Sequence, residues 1–373
     1  MGRRGRNIGY VNKSDGEILI ITDRLSRALQ KQPATAMFQE REKMEKIVEI
    51  NARKYVIRPY QPEDEGRVLS LWKTAFHKEM PESLWCWKYR DNPFGCRMML
   101  CVNDAGDPVV MFGGIPFQAG WKGKRVEITH LMDIMSHPDY RKTGLFVQTV
   151  DAFIDTFCGP DKSVLLYGFP GKYHFEIGQK YMLYRKLTAD VAYLSVAPAH
   201  LIPSITQPPG YLEPAGDIDE SFDRLWEICR GAYPLAVIRN AAFLRWRYGN
   251  HPLKRYEIWR YRTTPQGAME AYAVLSIAGG RAVLSDILAP PSGICLSNVF
   301  GSLGKMLAER GISILETWLP GGHFITRAAL SSGFDPCPEP TGIIPTLRSF
   351  DPSLTFEWGS DHLYYSMADG DLV

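Results

Sequence analysis

The sequence contains no run of about 18 apolar residues, so no membrane-spanning helix is expected. Its first residues lack the charged-then-apolar pattern of a secretory signal. There is no C-x-x-C pair. The seven cysteines (86, 96, 101, 158, 229, 295 and 337) are odd in number, scattered, and without histidines at zinc-ligand spacing. These absences argue against a disulfide framework and against a metal, and reduced thiols point to a cytoplasmic chain. An excess of one charge is missing as well. The formal net charge is +2, which gives no electrostatic case for nucleic acid or for an acidic membrane. The basic start Arg3-Arg4-Gly5-Arg6 is too short to alter that. What is present is a 373-residue chain with 45% hydrophobic and 23% charged residues, a globular balance and a length sufficient for two domains.

Residues 1–54 differ from the rest. They read either as an extension, partly helical or partly disordered, or as sequence upstream of a second start at Met44. From Tyr55 the pattern becomes regular. Residues 55–60 alternate as a strand, and Gln61-Pro62-Glu63-Asp64 opens a helix with acids in its first turn. Leu69, Leu71, Trp72, Ala75 and Phe76 then follow at helical spacing. Strands are predicted over 97–102, 108–117, 126–135 and 163–169, and a helix over 143–157.

The same order begins again near Asp217. Trp87-Lys88-Tyr89-Arg90-Asp91-Asn92-Pro93 is matched by Trp246-Arg247-Tyr248-Gly249-Asn250-His251-Pro252 at an offset of 159 residues. Phe169-Pro170-Gly171 with His174-Phe175 is matched by Leu319-Pro320-Gly321 with His323-Phe324. Matching order and punctuation predict a duplicated domain: 55–196 and 215–373, joined by a proline-rich linker over 197–214. The Trp and Tyr residues of the repeat are read as core packing rather than as a binding site.

Chemistry concentrates in residues 128–146. An apolar strand runs into Ser136-His137-Pro138-Asp139-Tyr140-Arg141-Lys142-Thr143-Gly144, and an amphipathic helix follows. The first N–H groups of such a helix lack intrahelical partners, and with the helix dipole they suit a pyrophosphate. Gly144 removes the Cβ that would hinder close approach, and Arg141 and Lys142 add positive charge.

This segment resembles the acyl-CoA pyrophosphate motif of the GNAT superfamily of N-acyltransferases: Arg or Gln, two residues, Gly, one residue, then Gly or Ala. Phe146 departs from it at the last position. The order from Tyr55 to Leu187 is similar to that fold, and the tandem arrangement resembles the Eis-type subgroup. The resemblance implies an α/β (α+β) protein of two GNAT-like domains, each a mixed, mostly antiparallel sheet flanked by helices. It implies acetyl-CoA, or another acyl-CoA, as co-substrate. The cofactor-binding residues would be Ile134, Met135, Ser136, Arg141, Lys142, Thr143, Gly144, Leu145 and Phe146. The second half has Pro290-Pro291 in place of the basic turn, and proline removes backbone donors, so that half is expected to hold no acyl-CoA.

Acyl transfer to an amine needs a neutral amine, a stabilised carbonyl oxygen and a proton for the departing thiolate. Glu127 and Asp133 are the candidate bases: an even spacing puts both on one face of an unbulged strand. The family's acid is commonly a tyrosine. If Tyr181 matches the family's aromatic, Glu176 occupies that position, which leaves Tyr173 and Glu176 as candidates beside a structural His174. In Eis-type enzymes the C-terminal carboxylate reaches the site, here that of Val373. Two alternatives stand beside this reading: a Fem-type aminoacyl or peptidyl transferase, and a non-catalytic acyl-CoA-binding protein. The expected partner is a small-molecule or peptide amine, with no nucleic acid and no membrane span. Homo-oligomerisation is left open.

Overall fold

In the computed structural model, which describes residues 45–201 and 210–370, the alternating stretch after Tyr55 forms the middle of strand β2 (Arg53–Pro59). Strand β1 (Lys46–Ile50) pairs with it antiparallel through a two-residue hairpin, with Asn51 and Ala52 at φ 52° and 60°. The domain therefore begins inside the stretch read from sequence as an extension. Asp64 fixes the entry to helix α1 (Glu65–Phe76), accepting from Gln61 N–H at 2.8 Å and pairing with Arg58 at 2.7 Å. Val68, Leu71 and Trp72 of α1 are buried against the sheet. Helix α2 (Glu82–Trp85) runs into a π-helical turn, Cys86–Arg90, which carries the first Trp–basic–Tyr motif.

Strands β3 (Arg97–Val102), β4 (Pro108–Trp121) and β5 (Lys124–Leu131) continue the antiparallel meander. The two-residue β6 (Met135–Ser136) follows β5, then helix α3 (Leu145–Phe157). Next come β7 (Ser163–Gly168), parallel to β5, and helix α4 (Lys172–Tyr181).

Beyond α4 the two halves interlock. Strand β8 (Arg185–Lys186) stays with the first sheet, but β9 (Val191–Val196) crosses into the second. That sheet is built from β10 (Tyr211–Pro214), β12 (Glu257–Arg262), β13 (Ala271–Ala278), β14 (Arg281–Leu288) and β15 (Ile314–Pro320), and β9 pairs antiparallel with β15. Before β12 come helix α5 (Ser221–Cys229), strand β11 (Leu235–Val237), which joins β4, and helix α6 (Ala241–Leu244). Helix α7 (Gly293–Glu309) separates β14 from β15, and helix α8 (Phe324–Ser331) follows β15. Strand β16 (Asp335–Cys337) pairs with β9, and β17 (Thr346–Ser349) returns the exchange by inserting beside β7 in the first sheet. Helix α9 (Phe356–His362) and strand β18 (Leu363–Tyr364), parallel to β11, lead to the last described residues.

Each sheet is thus completed by strands from the other half: β9 in the second, and β11, β17 and β18 in the first. A cut at residue 196 would leave β9 with the wrong sheet, and the stretch read as a linker holds β10. Residues 202–209 within that stretch, the basic start, Met44 and Val373 lie outside the described residues. The larger hydrophobic cluster draws on both halves, and a second lies between the first sheet and α3. The two repeats meet at their tryptophans. The rings of Trp87 and Trp246 stack at 4.8 Å and 7°. Each indole N–H donates to the other residue's carbonyl, at 2.7 and 2.9 Å. This reciprocity is the mark of a local two-fold relation. Among the described residues no helix is long and apolar enough to cross a membrane.

Candidate active site

The strand that runs toward the basic turn is interrupted. β5 pairs with β4 as far as Leu131 opposite Gly114, and β6 resumes at Met135 opposite Met111. Three residues of one strand therefore oppose two of the other, a bulge that bends the strand. Asp133 stands in it at φ 54°, outside the strand region of backbone space. Its buried carboxylate accepts from Lys88 Nζ at 3.0 Å and from the Tyr89 hydroxyl at 2.5 Å. The π turn thus holds the bulge. Close packing of β4 on β5 requires glycine at 114, where a Cβ would lie 1.9 Å from the His130 carbonyl. Pairing of β5 with β7 ends at His130 opposite Tyr167, and β6 pairs with β4 alone. Among the described residues the other edge of β6 meets no strand, so backbone groups at Ile134, Met135 and Ser136 are available for a ligand to pair with.

The turn follows directly. Tyr140 packs edge-on against Tyr55 and His137, and Thr143 Oγ1 donates to the Tyr140 carbonyl at 2.7 Å. Lys142 and Gly144 have φ 63° and 90°. Gln148 N–H donates to the Gly144 carbonyl at 3.2 Å, so the amides of Phe146 and Val147 precede the first helical bond of α3. The amides of Lys142, Thr143 and Gly144 have no acceptor among the described residues. A Cβ built on Gly144 would meet nothing within 4 Å, so the space before the turn is open. Leu145 is buried, and Phe146 turns its ring onto Phe112, 6.2 Å away, so the departure from the motif is absorbed by packing under α3. Arg141 and Lys142 are exposed at the same mouth.

The two proposed bases do not share a site. The bulge breaks the even spacing on which that expectation rested. Glu127 lies four residues back along β5 from Leu131, about 13 Å at strand rise, and makes a two-point contact with Arg97 at 2.8 and 3.3 Å. Asp133 is held by Lys88 and Tyr89. Both carboxylates are engaged by cations, Glu127 by Arg97 and Asp133 by Lys88. Tyr173 is 70% exposed on α4, and Glu176, one turn on, is exposed as well. The His174 carbonyl accepts from the Tyr184 hydroxyl at 2.8 Å, a structural contact.

Sequence reasoning missed a cavity of about 130 Å³ between the halves. Trp87, Lys88, His130, Met132, Trp246 and Arg247 line it. His130 is buried with its ring 5.0 Å from Tyr167. Burial, with Lys88 and Arg247 nearby, pushes its pKa down to about 3, so it is neutral. The repeated Trp–basic–Tyr motif was the available signal: the tryptophans do pack together, and they also wall this cavity.

Residues 56–181 match the family model described as the acetyltransferase (GNAT) domain. A probable N-acyltransferase of Enterococcus faecalis V583 superposes with a TM-score of 0.63 at 16% identity, over 81% of this chain and 74% of its own. A GCN5-related N-acetyltransferase of Kribbella flavida gives 0.58 at 14% identity, over 80% and 71%. One of Anabaena variabilis ATCC 29413 gives 0.57 at 11%, over 79% and 73%. At such identities the likeness is one of fold, and its coverage takes in both GNAT-like halves. No curated protein matches the sequence.

The second GNAT-like half lacks the turn and fills its own gap. Ala289, Pro290 and Pro291 lead directly into α7. β14 and β15 pair only from Arg281 opposite Ile314 to Val283 opposite Glu316, then part. Side chains satisfy the carbonyls of β14 and of Ala289 just after it. Leu284 accepts from Thr317 Oγ1 at 2.8 Å, Ile287 from the Tyr364 hydroxyl at 2.7 Å, and Ala289 from the Tyr233 hydroxyl at 2.7 Å. The segment after β18 packs on both strands through a 3₁₀ turn, Met367–Asp369. A Cβ on Gly370 would lie 2.9 Å from the Trp318 ring.

Proposed function

We propose that this chain is an acyl-CoA-dependent N-acyltransferase that moves an acyl group, acetyl in the first instance, to a primary amine by direct attack. The observation that carries the reading is the coupling, in one half only, of an unpaired β6 edge to a turn whose amides face open space. The peptide groups of Ile134, Met135 and Ser136 pair with the pantetheine arm. The amides at 142–146, with Arg141 and Lys142, hold the diphosphate. The amine enters from the cavity between the halves, since pockets favour such interfaces. With Glu127 and Asp133 engaged, the amine loses its proton to water. Its nitrogen bonds to the thioester carbon and releases a second proton to water, the C–S bond breaks, and the thiolate takes a proton from Tyr173, which water then reprotonates, with Glu176 three residues on along the same helix face. The second half contributes walls rather than a second co-substrate site. The first sheet with α3 and α4 acts as the acyl-CoA domain, and the chain works as a cytoplasmic enzyme.

Calorimetric titration with acetyl-CoA should give one site per chain, and a panel of primary amines should release free CoA. Arg141→Ala with Lys142→Ala should weaken binding by about tenfold or more at low salt, less at high salt. Absence of binding would sink the assignment, and binding without CoA release by any amine would leave a binding protein.

A further inference from the structure

The least solvated charges of the second half lie at its filled gap. Arg239, fully buried between β11 and α6, donates from Nε to Asp286 Oδ1 of β14 at 3.0 Å and from Nη2 to Asp369. Asp286 also accepts from Tyr272 at 3.0 Å and from Ser366 Oγ at 2.9 Å. Asp369 accepts from the Ser366 amide at 2.8 Å, closing a capping box on the 3₁₀ turn. The turn's carbonyls point the other way: Ala368 and Gly370 accept from Arg247 Nε and Nη2 at 2.9 and 3.2 Å. Arg247 lines the cavity with its guanidinium 5.6 Å from the Trp87 ring. Its repeat partner is Lys88, which holds the Asp133 bulge and lines the same cavity. The two repeats thus place equivalent cations on one wall. One is fixed by the bulge of the cofactor strand. The other is fixed by a turn wedged into the second half.

We infer that Asp369, through Arg239 and the turn at residues 366–370, is a positioning residue that sets Arg247 on the acceptor wall. This rests on the proposed acyl transfer for its kinetic consequence, though not for its structural one. A buried ionic cluster is a weak source of net stability and a good source of a single geometry, because each misplacement leaves a charge unmatched. Asp369 itself borders this cavity together with Ala368 and Gly370, and its hydrogen bonds and ion pair among the described residues run to Arg239 and Ser366 rather than to the 142–146 turn, so the acyl-CoA side should not sense its loss.

The test uses Asp369→Asn, with the milder Ser366→Ala should the first fold poorly. The Trp87 indole N–H resonance of ¹⁵N-labelled protein, assigned with Trp87→Phe, should be displaced in either variant. The KM for the best primary amine of the CoA-release panel should rise about tenfold while the acetyl-CoA Kd stays within about twofold. An unmoved Trp87 resonance, or amine KM and acetyl-CoA Kd rising in parallel, overturns the inference. If the unsubstituted chain releases CoA with no amine, the transferase reading fails, and the indole resonance alone decides this one.

Discussion

Gly144 at φ 90° occupies backbone space that a side chain adopts only with strain, about 1–2 kcal/mol. Because a Cβ there meets no atom within 4 Å, Gly144→Ala should cost backbone energy alone. We expect about 1 kcal/mol less stability in urea unfolding and at least about tenfold weaker acetyl-CoA binding by calorimetry, since the amides turn away. Asp133 at φ 54° is different: nothing in a run of strand-forming residues announces a left-handed residue. That is why the turn was legible from its glycine and basic residues while the bulge, and with it the fate of the two carboxylates, was not. The buried histidines were not legible either. Burial pushes His130 and His323 down to about 3 and half-buried His251 to about 4, from the usual 6.5. A histidine depressed in the folded state gives stability that is complete above pH 6.5 and lost as pH falls toward the folded value. Stability should therefore decline steadily from pH 6.5 to 4. Replacing His130 with Gln should reduce that slope by up to about 1.4 kcal/mol per pH unit, read from urea midpoints.

Helix α4 shows how an element is placed by a single absent side chain. A Cβ on Gly178 would lie 1.8 Å from the Tyr184 ring, so the helix docks only because 178 is glycine. Gly178→Ala should destabilise by about 1–3 kcal/mol, and adding Tyr184→Leu should recover part of that loss; full additivity of the two changes would contradict the packing account. At this scale much was readable. The helices and strands from Tyr55 follow from periodicity, and the duplicated Trp–basic–Tyr segment marks two π turns that face each other. The exchange of β9 and β17 was not readable. Each strand's pattern records only that it is half-buried, whereas its choice of sheet depends on residues more than 100 positions away.

At the scale of the molecule, the exchanged strands predict how the chain behaves when cut. A break in the peptide backbone within residues 202–209 leaves the C-terminal fragment without β9 and the N-terminal fragment without β11, β17 and β18. The two pieces, co-expressed, should purify as a tight non-covalent pair, and either piece alone should be insoluble; a soluble, monomeric fragment 46–201 would contradict the interlock. The same topology restricts how the chain can breathe. Because β9 lies between β15 and β16 while β17 lies between β7 and β8, swinging one lobe away from the other would tear two ladders at once. Clamshell opening is therefore closed to this architecture, and entry and exit of small molecules must rely on local rearrangement at the rim.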